Sequence, residues 1–135
     1  MTSPPVAISP HEVETIRASW VTAKTLAGPG LSGGEAMSAV SLFFDPGKGH
    51  ARHNHPDSEQ IIFLIAGEAE MMIEFTEGQP EKRLMRAGDL AHIPRGAFHS
   101  TFNVGWEPVR ILAVYSPTGP ESAMRGSAEF EILRP

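Results

Sequence analysis

Glycine and proline punctuate this chain from end to end, and their spacing restricts the fold more than any other feature of the sequence. The 135 residues include 13 glycines and 12 prolines, which are spread along the chain and not gathered in one linker. Between them lie short apolar or alternating segments, and turn signals recur about every 8–12 residues. This pattern is typical of an all-β sandwich or barrel.

The segments between these turns divide the chain into a central β-rich part and two flanks. Residues 36–116 are predicted to form the core of the barrel, and strands are predicted at 36–44, 60–67, 68–75, 83–88, 89–94, 98–103 and 109–116. A polar hairpin turn is predicted at 76–82.

The flanks are predicted to add little to this core. Residues 1–35 are interpreted as an N-terminal arm and a first strand, and residues 117–135 as a tail with an edge strand at 129–133. Ser9 is suited to cap a short helix that begins at Pro10, with Glu12 completing a capping box and the helical pattern fading near Trp20.

Composition excludes several classes of function. The net charge of −5 argues against nucleic acid and anionic membranes as partners, because both attract basic surfaces. The longest apolar run, residues 61–66, is far too short to span a bilayer. The N-terminus lacks the basic and apolar regions of a signal peptide, so a cytoplasmic location is expected.

Histidines in the middle of the chain form the strongest chemical pattern. Asn54 separates His53 from His55. Residues two positions apart on a strand point to the same face, so both imidazoles would lie on one side of a strand. The chain contains no cysteine, so a metal would be bound by histidine, carboxylate or amide groups. Glu59 or Gln60 follows closely and offers a third donor.

Further histidines follow later in the chain. His92 and His99 lie in one segment, "HIPRGAFHSTFN". Taken singly, His50 and His92 are interpreted as bystanders, and so is His11 in the N-terminal arm.

Two longer motifs surround these residues. Residues 47–67 read "GKGHARHNHPDSEQIIFLIAG", and residues 88–103 read "GDLAHIPRGAFHSTFN", which fits G-x5-P-x-G-x2-H-x3-N. The first resembles G-x5-H-x-H-x3/4-E-x6-G, and together the two motifs resemble those of the cupin family. The resemblance covers about residues 36–116 and implies an antiparallel β-barrel, or jelly roll, with a metal in its mouth.

The resemblance implies a ligand set of His53, His55, His99 and one residue at position 59 or 60. The family usually has glutamate there. Counting back from Gly67 selects Gln60, and counting forward from His55 permits either residue. Neighbouring residues on a strand face opposite sides, so only one of the two can point inward. Gln60 is favoured because it keeps the register of the conventional strand.

Similarity to cupins with a glutamine in this set implies isomerase, cyclase or lyase chemistry. One divalent metal (Zn, Fe, Ni or Mn) would act as a Lewis acid on a sugar acid, a keto-acid or an enolisable carbonyl compound. A glutamate set would instead imply an Fe(II) or Ni(II) dioxygenase of a catechol, flavonol or β-diketone. A non-catalytic module that binds a small ligand is the third alternative.

Three further residues are candidates to act on the substrate. Arg95 lies in the Pro-x-Gly turn, Tyr115 has the parity of the apolar positions on the last core strand, and Glu59 is the neighbour of the favoured ligand. A homodimer is expected from the family resemblance, because a barrel of this kind has sheet edges to cover.

Overall fold

A computed structural model describes residues 3–135 and consists almost entirely of antiparallel strands. The all-β prediction is therefore confirmed. The elements are a 3₁₀ turn Pro10–Glu12, strands β1 Thr15–Ala18, β2 Val21–Ala27, β3 Ser38–Phe44, β4 Gly49–His53, β5 Glu59–Ala66, β6 Glu68–Thr76, β7 Gln79–Arg86, β8 Leu90–Ile93, β9 His99–Asn103 and β10 Val109–Ser116, helix α1 Pro120–Arg125, and strand β11 Glu131–Leu133.

The strands form two sheets that face each other. The larger sheet has the order β11-β1-β2-β3-β10-β5-β8, and the smaller has the order β4-β9-β6-β7. Strands distant in sequence are therefore neighbours in both sheets, as in a jelly roll. No helix in residues 3–135 is long and apolar enough to cross a membrane.

Alternation along the strands determines which side chains enter the space between the sheets. On β10 every second residue from Val109 to Tyr115 is buried. Arg110, which follows Val109, and Ser116, which follows Tyr115, are exposed. The same alternation on β3 and β5 completes the core. Its largest fully buried side chains are Phe44, Leu64, Ile93, Ile111, His99, Val40 and Val109.

The N-terminal helix is shorter than predicted. It is a single 3₁₀ turn, in which the Ser9 hydroxyl accepts a hydrogen bond from the backbone N–H of His11 at 3.2 Å. Residues from Thr15 onward are a strand, because β1 pairs with β2 on one side and with β11 on the other. Pairing within a sheet overrides the weak local helical preference.

The hairpin between β6 and β7 is tighter than predicted, because Gln79–Arg86 is strand and not turn. Gly78 adopts a φ of +83° and donates its backbone N–H to the Glu74 carboxylate at 2.8 Å. Pro80 is compatible with β7 because β7 is the edge of its sheet. A short helix, α1, also appears in the tail, where no helix was predicted.

Gly49 allows β4 to approach β9 closely. A Cβ at this position would lie 2.1 Å from the carbonyl oxygen of Thr101 and 2.6 Å from the Cα of Phe102. Real Cβ atoms do not approach backbone atoms so closely, so any side chain would push the two strands apart. This close approach lies on the same pair of strands that carries His53 and His99.

We expect Gly49→Ala to lower the free energy of unfolding by about 1–3 kcal/mol, because the added methyl group overpacks the β4–β9 pair. Gly30→Ala is the matched control, since a Cβ there would meet no atom within 4 Å. Chemical denaturation of both variants measures the difference. Equal stability of the two would contradict the close approach.

An ion pair on the outer side of the smaller sheet joins β4 to β6. The Glu74 side chain is buried beneath Arg52, which donates to it from Nε at 2.5 Å and from Nη2 at 3.1 Å. The same guanidinium lies 3.9 Å from the centroid of the Phe98 ring. The hydrogen bonds from Arg52 lower the pKa of the Glu74 carboxyl, and the Gly78 N–H lowers it further.

The Arg52–Glu74 ion pair should make the free energy of unfolding depend on pH in the acid range. Because the folded pKa of Glu74 lies below the unfolded value, its contribution is present above about pH 4.5 and is lost as the pH falls through the folded pKa. We expect the free energy of unfolding of Glu74→Gln to fall less than that of the wild type as the pH is lowered from about 6 to about 3. Glu77→Gln, a change at an exposed residue of the same hairpin, should leave this pH dependence as it is in the wild type.

Candidate metal centre

Two neighbouring strands bring His53 and His99 face to face. His53 ends β4 and is the cross-strand partner of His99, which begins β9, and the two ring centroids are 4.2 Å apart. His55 lies just beyond the end of β4, in the loop and not on the strand. The ligating atoms of the three residues all lie within 4.8 Å of one another, so they could hold a metal ion.

Backbone carbonyl groups orient two of the three rings. Nδ1 of His53 lies 2.6 Å from the oxygen of Ala51, and Nδ1 of His99 lies 2.9 Å from the oxygen of Ala97. A carbonyl oxygen only accepts hydrogen bonds, so each Nδ1 carries the proton and each Nε2 has a free lone pair. This is the tautomer that binds a metal through Nε2.

Three buried atoms in this region have no hydrogen-bond partner within residues 3–135: Nε2 of His55, Nε2 of His99 and Oε1 of Gln60. Buried polar atoms are normally paired, because each orphan costs about 1–3 kcal/mol. All three atoms are donors suited to a divalent transition metal. The donor set therefore fits the metal that the sequence predicts.

The side chains of Glu59 and Gln60 lie on opposite sides of strand β5. Gln60 is buried, with only 3% of its surface exposed, and its neighbours in the sheet are Tyr115 and Ile93. Glu59 lies on the opposite, exposed side, where its carboxylate is 2.8 Å from Nε2 of His92. Gln60 is therefore buried on the inward side of the larger sheet, and Glu59 lies on the outward side.

Burial keeps the imidazoles neutral. Removal from water, together with repulsion from neighbouring imidazoles, lowers the pKa of His53 to about 2 and that of His55 to about 4. Burial also lowers the pKa of His99. Neutral imidazole is the ligating form, so protons do not compete for these nitrogens near neutral pH.

His50 belongs to this cluster, although the sequence interpretation made it a bystander. Its ring stacks on the ring of His53, with centroids 3.4 Å apart, and Trp20 packs against it from the other side at 4.4 Å. A register shift between His50 and His53 places both on the same side of β4. No motif signals this bulge, so the sequence offered no way to find the contact.

Tyr115 and Arg95 occupy very different surroundings. The Tyr115 ring is buried and packs edge-on against His55, with centroids 5.4 Å apart. Burial raises the pKa of its hydroxyl above the usual value. The Arg95 side chain is exposed in its turn.

The turn that contains Arg95 positions the histidines through its backbone. The Gly96 N–H donates to the carbonyl of His55 at 3.0 Å, and the Asn54 side chain donates to the carbonyl of Gly96 at 3.2 Å. These bonds connect the loop before β9 with the loop after β4. Asn103 anchors the far end of β9, since its side-chain amide donates to the carbonyl of Phe44 at 3.0 Å.

A cleft of about 460 Å³ opens between the edge strands β7 and β8. Apolar side chains of Met71, Ile73 and Met85 contribute to its wall, and Arg83 lies at its edge. Ile73, which lines this cleft, is the cross-strand partner of His99. Neither this cleft nor a second cavity of about 540 Å³ beside α1 is lined by His50, His53, His55 or His99.

Similarity to known proteins agrees with this geometry. A family model described as "Cupin domain" matches residues 41–115. A putative germin-like protein 9-2 of Oryza sativa subsp. japonica is 27% identical over 74% of this chain and 47% of its own length. A glucose-6-phosphate isomerase of Thermococcus kodakarensis is 34% identical over 69% of this chain and 44% of its own length.

Solved structures show the same fold. Bacillus subtilis oxalate decarboxylase, studied for its Mn(II) centers, superposes with a TM-score of 0.73 and 20% identity, over 88% of this chain and 33% of its own. The chain spans about half the length of the curated relatives it matches. Because the family model covers more than half of the residues and the histidines of both motifs converge, the chain belongs to the cupin family.

Proposed function

We propose that this cupin is a metal-dependent enzyme that acts on a small oxygenated molecule, such as a sugar acid, a keto-acid or another enolisable carbonyl compound. The reaction would be of the isomerase, cyclase or lyase type. The observation that carries the proposal is the set of buried, unpartnered donor atoms on His55, Gln60 and His99. Similarity to a protein named glucose-6-phosphate isomerase supports the same class of chemistry.

In this proposal His53, His55, Gln60 and His99 hold one divalent metal, with Zn, Fe, Ni and Mn all compatible with these donors. When bound, the metal would supply Lewis-acid polarisation of a substrate oxygen. All four side chains are neutral, so none of them compensates the positive charge of the ion. An anionic or electron-rich substrate oxygen is the group that such a site favours.

The chain itself supplies the surroundings of the substrate. Tyr115 packs against His55 and is the inner-face candidate for donating a hydrogen bond or a proton to the substrate. The cleft between β7 and β8 would admit the substrate, and Arg83 at its edge is suited to a carboxylate. Arg95 remains a candidate for the same task at the surface, whereas Glu59 has no role at the inner site.

We expect purified protein to contain about one transition metal per chain and the His53→Ala/His99→Ala variant to contain none. Gln60→Ala should weaken metal affinity by about tenfold or more, because it removes a donor. Glu59→Ala is the matched control, since the adjacent carboxylate faces the opposite side of β5. Elemental analysis and metal titration measure both effects.

The opposite result would overturn this ligand assignment. If Glu59→Ala abolished metal binding and Gln60→Ala left it unchanged, the fourth ligand would be Glu59. Absence of metal in the wild type, even after reconstitution, would reject the metal centre itself.

We expect metal-loaded protein to turn over at least one member of a panel of sugar acids and keto-acids, and metal-stripped protein to turn over none. Tyr115→Phe should lower kcat by about 10²-fold or more while retaining the metal, because it removes only the hydroxyl. Steady-state kinetics with parallel elemental analysis provide the test. Equal turnover with and without metal would contradict the proposal.

Two other outcomes would assign a different function. Oxygen uptake that depends on Fe(II) added without air would identify a dioxygenase. Tight binding of a panel compound without conversion would identify a binding module.

A further inference from the structure

One face of the His53 ring is covered by a column of stacked rings. The His50 ring stacks on the His53 ring, with centroids 3.4 Å apart and planes 18° from parallel. The Trp20 indole packs against His50 in turn, with centroids 4.4 Å apart. We call Trp20, His50 and His53 the aromatic column. It connects a candidate metal ligand with the turn between β1 and β2, where Trp20 lies.

A β-bulge in β4 makes this stacking possible. His50 is the cross-strand partner of Thr101, and His53 is the cross-strand partner of His99. Three positions along β4 therefore match two along β9, which is the count of a bulge. In a regular strand, residues three positions apart point to opposite faces. The extra residue thus brings the His50 and His53 rings to the same side of β4.

The place of His53 in the sheet explains why a packed neighbour matters. His53 ends β4, which is the edge strand of the smaller sheet, so only β9 flanks it. Its Nδ1 is held at the carbonyl of Ala51, and a ring held at one point can still turn about that hydrogen bond. A second ring stacked on its face opposes this turning. Metal ligands depend on neighbouring groups that fix their orientation in this way.

The core and the C-terminal tail hold Trp20. Its ring lies 6.3 Å from the ring of the buried Phe44, and the Phe130 ring meets it edge-on at 5.9 Å. The indole N–H donates a hydrogen bond to the Glu129 carboxylate. Glu129 and Phe130 directly precede β11, which pairs with β1 and so joins the tail to the larger sheet. The indole is therefore fixed from both flanks of the chain.

The motifs of the cupin family do not specify this column. Trp20 and Phe130 lie outside residues 41–115, the part of the chain that the family model matches. His50 occupies one of the five unspecified positions of the first motif, between its first glycine and its first histidine. The two flanks, which the sequence predicted to add little to the core, thus contact the candidate metal centre through Trp20.

We propose that His50 is a positioning residue: its ring keeps the His53 ring in the orientation that directs Nε2 to the metal, and Trp20, fixed by the C-terminal tail, keeps His50 in place. His50 acts by stacking and not as a ligand. Imidazole lone pairs lie in the ring plane, and two nearly parallel planes do not direct them to one ion. The use of this device rests on the proposed metal centre, whereas the order of the His53 ring is measurable without a metal.

Removal of the His50 ring should weaken metal binding. We expect His50→Ala to lower the affinity for Zn²⁺ by about tenfold or more in competition with a chelator, because it removes a group that orients a ligand. His50→Phe should keep most of the wild-type affinity, since phenylalanine retains a stacking ring and has no donor atom. The visible absorption of bound Co²⁺, which reports the geometry of the ligands, should change in His50→Ala and not in His50→Phe.

Phe102→Ala is the matched control for loss of a ring. Phe102 is half-buried on the adjacent strand β9, and within residues 3–135 its ring does not contact any of the four clustered histidines. We expect this variant to keep the wild-type affinity for Zn²⁺. Circular dichroism of each variant establishes that it is folded.

Trp20→Leu tests the link to the tail. It should weaken Zn²⁺ binding, because leucine gives neither the stacked ring nor the N–H group. The double variant His50→Ala/Trp20→Leu should bind Zn²⁺ no more weakly than His50→Ala alone, since Trp20 acts through His50. Wild-type affinity in Trp20→Leu, or additive losses in the double variant, would contradict this part of the proposal.

NMR of the metal-free protein separates this proposal from the metal centre itself. Long-range proton–nitrogen correlations should show His53 as a single Nδ1–H tautomer in the wild type and in His50→Phe, and as a mixture of tautomers in His50→Ala. A wild type that binds no Zn²⁺ would reject the metal centre, and the tautomers would still decide the role of His50. A single tautomer in His50→Ala, or His50→Phe that resembles His50→Ala in tautomer and affinity, would overturn the proposal.

Discussion

The pairing of β4 with β9 is the constraint on which the candidate site depends. It places His53 directly opposite His99, and it is possible because Gly49 lets the two backbones approach more closely than any side chain would allow. Residues 54–98, which include β5 to β8, lie between the two strands, so the pair joins segments that are distant in sequence. His55 then joins from the loop that follows.

The candidate site lowers the stability of the chain that carries it. Buried nitrogens of His55 and His99 and the buried oxygen of Gln60 have no partner, and each such atom costs about 1–3 kcal/mol. Proteins keep such destabilising buried atoms where the atoms serve a function, and the binding of a metal would offset their free-energy cost. The backbone carbonyl groups of Ala51 and Ala97 orient two of the rings.

Strands β5 and β10 carry different kinds of side chain on their inward and outward sides. Inward they carry Gln60 and Tyr115, and the Tyr115 ring packs against His55; outward they carry the apolar side chains of Phe63 and Leu112. One residue of sequence separates the two environments, because successive side chains of a strand point to opposite faces. Glu59 illustrates the rule, since it neighbours Gln60 in sequence and yet lies on the outer side beside His92.

Local and periodic signals along the chain were sufficient to predict several features of this protein. Alternation predicted the β-rich core and the inward parity of Tyr115, and the two motifs singled out His53, His55, Gln60 and His99. These signals depend only on neighbours along the chain, so they can be recognised without coordinates.

Contacts between segments that are distant in sequence depend instead on how the strands pair and pack. The register shift that stacks His50 on His53, the exposed direction of Arg95 and the short 3₁₀ turn at Pro10 all result from pairing between strands. Turn residues have no periodicity to orient their side chains, and a bulge changes which side of a strand a residue occupies. Such features follow from the packing of the two sheets, which no local pattern of residues encodes.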